Sequence, residues 1–238
     1  MKKITLLLLL TTVTFAQKWE KNKIKGNGNV VTQIRTTAPY DEIYCGGAFL
    51  IELTNEVEGK ITAEGDENLL NLIKIEVADN KLKVTIDRGI YFDSRGDKIK
   101  ITIPVEKISR IDFAGSGTLK TKDKIITENL EILLSGSGST VIETDTSTLK
   151  AVLSGSGRIE IKGASETLNA KLSGSGSMVC NKLNSKNATI LLSGSGSIDV
   201  NCAKALEAKI SGSGTIYYSG NPSSVVKKIS GSGEVTRI

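Results

Sequence analysis

The sequence contains no histidine, and it has few of the residues from which enzyme and nucleic-acid sites are usually built. Of its 238 residues, 4% are aromatic and three are proline. Without histidine, Ser-His-Asp triads, imidazole acid–base catalysis and most transition-metal sites are excluded. The charges sum to +5 and are interspersed, so they form neither a phosphate-binding patch nor, with so few aromatics, a base-stacking platform. Nucleic acid is therefore not an expected partner.

Cysteine is scarce as well, since the chain has only Cys45, Cys180 and Cys202. An odd number leaves at least one thiol unpaired, even in an oxidising compartment. Cys180 stands where neighbouring repeats have an aliphatic residue such as Ile161 or Val200, which favours a small buried side chain over a ligand. We expect no metal site, no cofactor and no catalytic residue.

Long apolar runs are missing except at the N-terminus. Lys2 and Lys3 precede an apolar stretch that ends near Val13, and Thr14-Phe15-Ala16 has the small-residue pattern of a cleavage site. This predicts a signal peptide over residues 1–16, because the stretch is shorter than the roughly 20 residues of a membrane span. Residues 17–30 are interpreted as a linker and the start of a first strand. The mature chain is expected in the periplasm, on the outer-membrane surface or outside the cell, without a membrane span.

The most abundant feature is a repeated tetrapeptide. "SGSG" occurs six times, preceded by the near-copy Ala114–Gly117, and the seven copies begin at residues 114, 135, 154, 173, 193, 211 and 230. A flexible glycine–serine linker would have no reason to recur every 18 to 21 residues. A period of this size indicates a solenoid, in which each repeat buries its apolar face only by stacking on its neighbours.

The apolar residues of each repeat lie an odd number of positions before or after the first residue of its tetrapeptide. Because side chains alternate between the faces of a strand, all odd offsets point to one side, which must be the core. Both glycines then point inward and both serines outward. The position just before the tetrapeptide illustrates the pattern: Phe113, Leu134, Leu153, Leu172, Leu192, Ile210 and Ile229.

Parallel stacking follows because near-identical coils in sequence order cannot be joined by hairpins. Turn-forming residues lie between the strands, in "TDTST" from Thr144, "GASET" from Gly163 and "SGNPSS" from Ser219. The fold class is therefore all-β: a right-handed parallel β-helix with about 19 residues per coil, regular over residues 111–238.

Residues 31–110 are less regular and are interpreted as an irregular β-helix part or a cap over the open end. The stretch "DEIYCGGAFLIELT" from Asp41 has the pattern of a degenerate coil. An apolar cluster at Leu69, Leu70, Leu72 and Ile73 predicts a short helix or turn before a strand.

The chain resembles the family described as putative auto-transporter adhesin, head GIN domain. The resemblance rests on "GNGNVVTQIRTTAPYDEIYCGGAFLIEL", on "GKITAEGDENLLNLIKIEVADNKLKVTID" and on the serial "SGSG" coils. It implies secreted or surface proteins of gram-negative bacteria, typically Bacteroidetes, that fold as right-handed β-helices and act in adhesion. The family supplies no catalytic motif to transfer to this chain.

Two functions remain after these exclusions. The leading hypothesis is a non-enzymatic envelope or surface protein that binds a glycan or another surface protein, and association into oligomers stays open. The alternative is a polysaccharide-processing enzyme on a β-helix scaffold, for which Glu143, Asp145 and Glu160 are the available outward carboxylates.

Serines at the two outward positions of the tetrapeptide form the predicted binding face, since each hydroxyl can both donate and accept a hydrogen bond. Such a flat hydroxyl array also suggests an ice-binding or water-ordering face, while the simplest interpretation is a small polar residue tolerated beside glycine. The ten residues are Ser135, Ser137, Ser154, Ser156, Ser173, Ser175, Ser193, Ser195, Ser211 and Ser213.

Overall fold

The computed structural model describes residues 22–93 and 99–238. The predicted signal peptide and residues 17–21 of the linker lie outside these ranges. One short helix, α1 (Glu67–Leu70), occurs among otherwise β-stranded residues. The strands are β1 (Asn22–Lys25), β2 (Val30–Thr36), β3 (Glu42–Gly47), β4 (Leu50–Thr54), β5 (Lys60–Asp66), β6 (Ile73–Ala78), β7 (Lys81–Ile86), β8 (Ile90–Asp93), β9 (Lys100–Pro104), β10 (Arg110–Gly115), β11 (Thr118–Thr121), β12 (Ile125–Gly136), β13 (Ser139–Gly155), β14 (Arg158–Gly174), β15 (Ser177–Gly194), β16 (Ser197–Gly212), β17 (Thr215–Ser219), β18 (Ser224–Ser230) and β19 (Glu234–Arg237).

The regular part is a stack of parallel coils, which confirms the predicted β-helix. Strands β12 to β16 pair in sequence order, each hydrogen-bonded to the next through almost its whole length. The same repeat position lies above itself in successive coils, as Leu134, Leu153, Leu172 and Leu192 show. Each of these leucines is buried. Burying one such side chain contributes about 1.5–3 kcal/mol, so the stacked columns supply the stability that a single coil lacks.

The two glycines of each tetrapeptide differ from one another, which corrects the prediction that both point inward. The second glycine, such as Gly176, is buried, and a Cβ there would meet Leu153 of the core at 2.7 Å as well as the carbonyl oxygen of Gly157 at 2.5 Å. The first glycine, such as Gly174, is partly exposed and has φ +126°. Its missing side chain would point along the stack, 2.4 Å from the carbonyl oxygen of Gly155. The positive φ turns the chain at this corner and rotates the Cβ direction away from the core.

Two of the three predicted turn segments lie inside continuous strands. The segment from Thr144 lies within β13 and that from Gly163 within β14, whereas residues 220–223 form a loop as expected. The chain bends at these corners without losing its hydrogen-bond ladder because an inward hydroxyl bonds to nearby backbone carbonyls. Thr146 Oγ1 donates to Glu128 and Thr148, and Ser165 Oγ donates to Thr167.

Differences in coil length are absorbed by shifts in the register between neighbouring strands. These shifts lie between Glu160 and Lys162 in β14, and between Cys180 and Asn184 and between Ser185 and Asn187 in β15. Bulges of this kind lengthen or shorten a coil locally and leave the glycine corner in register. Leu183, within the second shift, remains fully buried.

In the N-terminal part, the order of the coils in space differs from their order in sequence. The coil of β3 and β4, which contains the degenerate motif, lies between two coils that come later in the chain. On one side β3 and β4 pair with β7 and β9, and on the other side with β10 and β11, all in parallel. The first coil of the sequence is therefore the second coil of the stack.

Antiparallel strands close the N-terminal end. Strand β6 pairs with β7, β5 pairs with β9, and β2 pairs in turn with β5. The outermost parallel coil, formed by β7 and β9, therefore has no unpaired edge over these residues. The predicted short helix is present as α1, and Leu69 and Leu70 are fully buried. Arg35 fixes this segment by donating to the carbonyl oxygens of Leu70 and Ile73, at 2.7 and 2.5 Å.

The C-terminal end of the stack carries a lysine at the core and leaves one edge of its last coil unpaired. Within the part of the chain that the structure describes, β18 pairs only with β16, and β19 only with β17. Lys227 occupies an inward repeat position, where its Nζ donates to the Val235 carbonyl at 2.8 Å and lies 5.2 Å from the Tyr218 ring centroid. A charged residue at the end of the core column opposes edge-to-edge pairing with another chain.

The inward Thr140 of the regular coils carries an unsatisfied hydroxyl. Thr140 is fully buried and its Oγ1 has no hydrogen-bond partner, whereas the equally buried Thr144 donates to the Ile125 carbonyl at 2.9 Å. We expect Thr140→Val to stabilise the protein by about 1–2 kcal/mol because a desolvated, unpaired hydroxyl is removed. Thr144→Val should instead destabilise it by about 1 kcal/mol. Urea unfolding measures both, and the same sign for the two variants would contradict the expectation.

Candidate functional site

The serines predicted from the repeat are brought together along one corner of the solenoid, which we call the serine ridge. All ten are exposed. The first serines of successive tetrapeptides form one row, or file, along the stack. Each serine of this file is in register with the serine of the next coil, as Ser154 is with Ser173. Coils in register are about 4.8 Å apart, so the five coils of the ridge place hydroxyls at regular intervals over about 19 Å.

The hydroxyl groups of the ridge are free. Backbone groups hold the corner, since Ser175 and Gly176 both donate their N–H to the carbonyl oxygen of Gly155, at 3.2 and 3.1 Å. None of the ten side-chain hydroxyls takes part in a hydrogen bond within the described ranges. The two files of serines therefore do not hydrogen-bond to one another. Their hydroxyls can donate hydrogen bonds to solvent or a ligand, and accept hydrogen bonds from it.

The ridge offers little concave surface. Ser193 and Ser211 border a cavity of about 210 Å³, together with the exposed Leu191 and the aliphatic part of Lys209. This small, largely apolar depression lies beside the ridge. Recognition by the ridge would thus depend on its flat array of hydroxyls.

The three carboxylates considered for catalysis are all held in ion pairs. Glu143 lies 2.9 Å from Lys162, and Glu160 lies 3.6 Å from Arg158. Asp145 pairs with Lys124 at 3.0 Å. Two of these pairs join neighbouring coils, whereas Glu160 and Arg158 belong to the same strand, β14. Each of the three carboxylates is thus held beside a cation.

A second surface, which the sequence did not point to, lies about half a coil away from the serine ridge. At this corner three successive residues point outward, inward and outward in each of five coils, leaving a channel between the two outward files. We call it the axial groove, since it follows the solenoid axis, and its volume is about 760 Å³. Its five segments are residues 126–128, 145–147, 164–166, 184–186 and 201–203.

Polar groups line the two sides of the axial groove. One file contains Asp145, Asn184 and Asn201, and the Asn201 side-chain amide donates to Asn184 Oδ1 at 3.1 Å. The other file contains Glu166 and Lys186, which form an ion pair between neighbouring coils. The only sequence signal of this surface is a pattern of polar residues on either side of an inward Thr or Ser, which also fits an ordinary turn.

The cysteines are not available as a site. All three are free and buried, and burial raises the pKa of each thiol, that of Cys180 to about 12. Thiolate chemistry is therefore suppressed at neutral pH. No group of three or more acidic or cysteine side chains among residues 22–93 and 99–238 is arranged to hold a metal ion.

These features define a class: a β-solenoid whose parallel coils display repeated polar groups on long outer faces. The family model described as putative auto-transporter adhesin, head GIN domain, matches residues 39–222, and the chain belongs to this family. No curated protein matches the sequence significantly. In the described part of the chain, no helix has the length and apolar character needed to cross a membrane.

Solved structures share the fold along almost the whole chain. A putative adhesin from Bacteroides fragilis is 25% identical with a TM-score of 0.85, covering 90% of this chain and 100% of that protein. A putative lipid binding protein from Parabacteroides distasonis is 26% identical with a TM-score of 0.75, covering 91% and 99%. A putative adhesin from Parabacteroides merdae, 21% identical with a TM-score of 0.73 and coverages of 91% and 99%, shares the fold.

Proposed function

We propose that this protein is a non-enzymatic adhesion protein, exported to the cell envelope or surface, that binds a glycan or another envelope component through an outer face of the solenoid. The observation that carries the proposal is the repeated display of the same polar groups, coil after coil, on a rigid stack. Extended solenoid surfaces serve as binding surfaces because their geometry is fixed by the coils beneath. Membership of an adhesin family supports the same function.

A non-enzymatic role is supported by the chemistry of the chain. There is no histidine, and Glu143, Asp145 and Glu160 are each paired with a cation. A polysaccharide-processing enzyme would need two free carboxyl groups about 5–10 Å apart on either side of a bound sugar. Asp199 has a raised pKa because it is partly buried, and the nearby Arg158 opposes that shift. A single carboxyl of this kind does not supply the second group that glycoside hydrolysis needs.

Export is tested by the N-terminus of the mature protein. If the signal peptide is removed after Ala16, N-terminal sequencing of protein from envelope or culture-medium fractions should begin at Gln17. Protein that begins at Met1 and remains in the cytoplasm would contradict export.

Adhesion is tested with labelled protein that begins at Gln17. We expect saturable retention on cells and envelope fractions of the producing organism, with competition by excess unlabelled protein. Incubation with the same fractions should release no reducing sugar. Absence of saturable retention would overturn the adhesion proposal, and release of reducing sugar would favour the enzyme instead.

A further inference from the structure

We infer that the axial groove, rather than the serine ridge, binds a linear, uncharged glycan. This inference rests on the proposed adhesion function and specifies its ligand class and its site. The groove has a volume of about 760 Å³, whereas the cavity beside the ridge has about 210 Å³. Ligand sites in proteins are usually concave, because a concave site removes more of the ligand surface from water.

The shape of the groove selects an extended polymer. It crosses five coils, and four steps of about 4.8 Å give a length of about 19 Å. Each coil contributes one segment of the same geometry, so equivalent contacts recur along the axis. A sugar residue in an extended glycan advances by a similar distance, so that successive sugars can meet successive coils. A compact small molecule would use only a fraction of this length.

The polar groups of the groove match the chemistry of sugar hydroxyls. A hydroxyl both donates and accepts, so it is best recognised by carboxylates and amides, which offer paired acceptors or an acceptor beside a donor. Asn184 and Asn201 supply amides in neighbouring coils, and Ser147 supplies a hydroxyl. Asp145 and Glu166 each form an ion pair with a lysine and keep carboxylate oxygens that can accept from sugar hydroxyls.

Charge in the groove favours a neutral ligand. Glu128, Asp145 and Glu166 line it, with Lys186 as the only cationic residue of the lining. Without Lys2 and Lys3 of the predicted signal peptide the chain is still basic, at +3, whereas the groove retains an acidic excess even when Lys124, the ion-pair partner of Asp145, is counted. An acidic polysaccharide would place its carboxylates against these side chains, and such like-charge contacts are unfavourable. Nucleic acid is disfavoured for the same reason.

Apolar surface within the groove suits the non-polar faces of sugar rings. Ile126 lies at one end and is 77% exposed. Ala164 and Ala203 lie further along and leave room where a longer side chain would fill the channel. The groove thus combines fixed polar groups with open apolar patches.

Two tryptophan substitutions in the same strand distinguish the groove from the ridge. Ala164→Trp fills the centre of the groove, and Ser173→Trp places the same side chain on the ridge; both residues belong to β14 and are exposed. Calorimetric titrations would use the neutral hexasaccharides of glucose, mannose, xylose and N-acetylglucosamine. We expect at least one of them to bind the wild type saturably. For that ligand, the Kd should rise about tenfold or more in Ala164→Trp and stay within about twofold in Ser173→Trp.

Circular dichroism and thermal unfolding confirm that each variant is folded. If Ala164→Trp does not fold, Ser147→Trp, at an exposed groove position one coil away, takes its place. The inference is overturned if none of the neutral hexasaccharides binds, if Ser173→Trp weakens binding as strongly as the groove variant, or if hexagalacturonate binds more tightly than every neutral oligosaccharide.

The outcomes also separate this inference from the adhesion proposal. Retention of both wild type and Ala164→Trp on envelope fractions would leave adhesion supported and the groove excluded as its site. Hexasaccharide binding in the groove without retention on cells or envelope fractions would support the groove and overturn adhesion.

Discussion

Replacing Gly174 with alanine should destabilise the protein by about 3–5 kcal/mol. The residue has φ +126°, where alanine is strained, and its new Cβ would lie 2.4 Å from the carbonyl oxygen of Gly155. That oxygen accepts the N–H groups of Ser175 and Gly176, so moving it disturbs two hydrogen bonds. The site is in the middle of the stack, where a distortion affects the coil contacts on both sides.

Equilibrium unfolding in urea, followed by far-ultraviolet circular dichroism, measures this effect. The control is Ser173→Ala in the same tetrapeptide, which removes an exposed hydroxyl without a hydrogen bond and should change the free energy by less than about 0.5 kcal/mol. A loss below about 1 kcal/mol in Gly174→Ala would show that the corner tolerates a side chain, and that glycine is not required there.

Stability should fall at alkaline pH because of the buried thiol of Cys180. Its pKa is raised from 9.0 to about 12, chiefly by burial and secondarily by Asp199. Below pH 9 the thiol is protonated in both the folded and the unfolded protein, and its contribution is fully present. Between pH 9 and about 12 the unfolded state loses the proton while the folded state keeps it. The free energy of unfolding then falls by about 1.4 kcal/mol per pH unit from this group.

Cys180→Val isolates that contribution. Val200 lies at the equivalent position of the next coil, so valine should fit, and stability at pH 7 should change by less than about 1.5 kcal/mol. From pH 9.5 to 11 the variant should lose stability more slowly than the wild type, by about 1.4 kcal/mol per pH unit. Ser175→Ala serves as a control with an unchanged slope. Parallel pH profiles for wild type and Cys180→Val would contradict the expectation.

Most of the fold could be predicted from the sequence because the repeat has a simple physical cause. Alternation places Leu134 and Ile132 on the inner side of a strand, and the constant interval between coils requires these columns to stack. The absence of histidine excluded imidazole catalysis, and the scarcity of aromatic residues excluded a base-stacking platform, equally directly. Inward burial of Cys180 also followed from its place in an aliphatic column.

Several features depended on contacts between coils and could not be predicted. Alternation treats both glycines of the tetrapeptide alike, yet the path of the chain gives Gly174 a positive φ and leaves it partly exposed, whereas Gly176 is buried. Residues 42–54 lie between two coils that come later in the chain. This arrangement depends on which strands pair, and the local sequence does not specify it. In the same way, Thr140 and Thr144 look alike in the sequence, but only one finds a carbonyl partner.

The sequence by itself determined the solenoid, its core columns and the outward position of the serines, because these follow from a strand period of two and a coil period of about 19 residues. Only the tertiary structure decided where the surface is concave. Inward residues such as Thr146 and Ser165, whose hydroxyls donate to backbone carbonyls, form the floor of the axial groove between its two outward rows. Depth at a surface depends on how neighbouring coils bend together, and no single repeat contains that information.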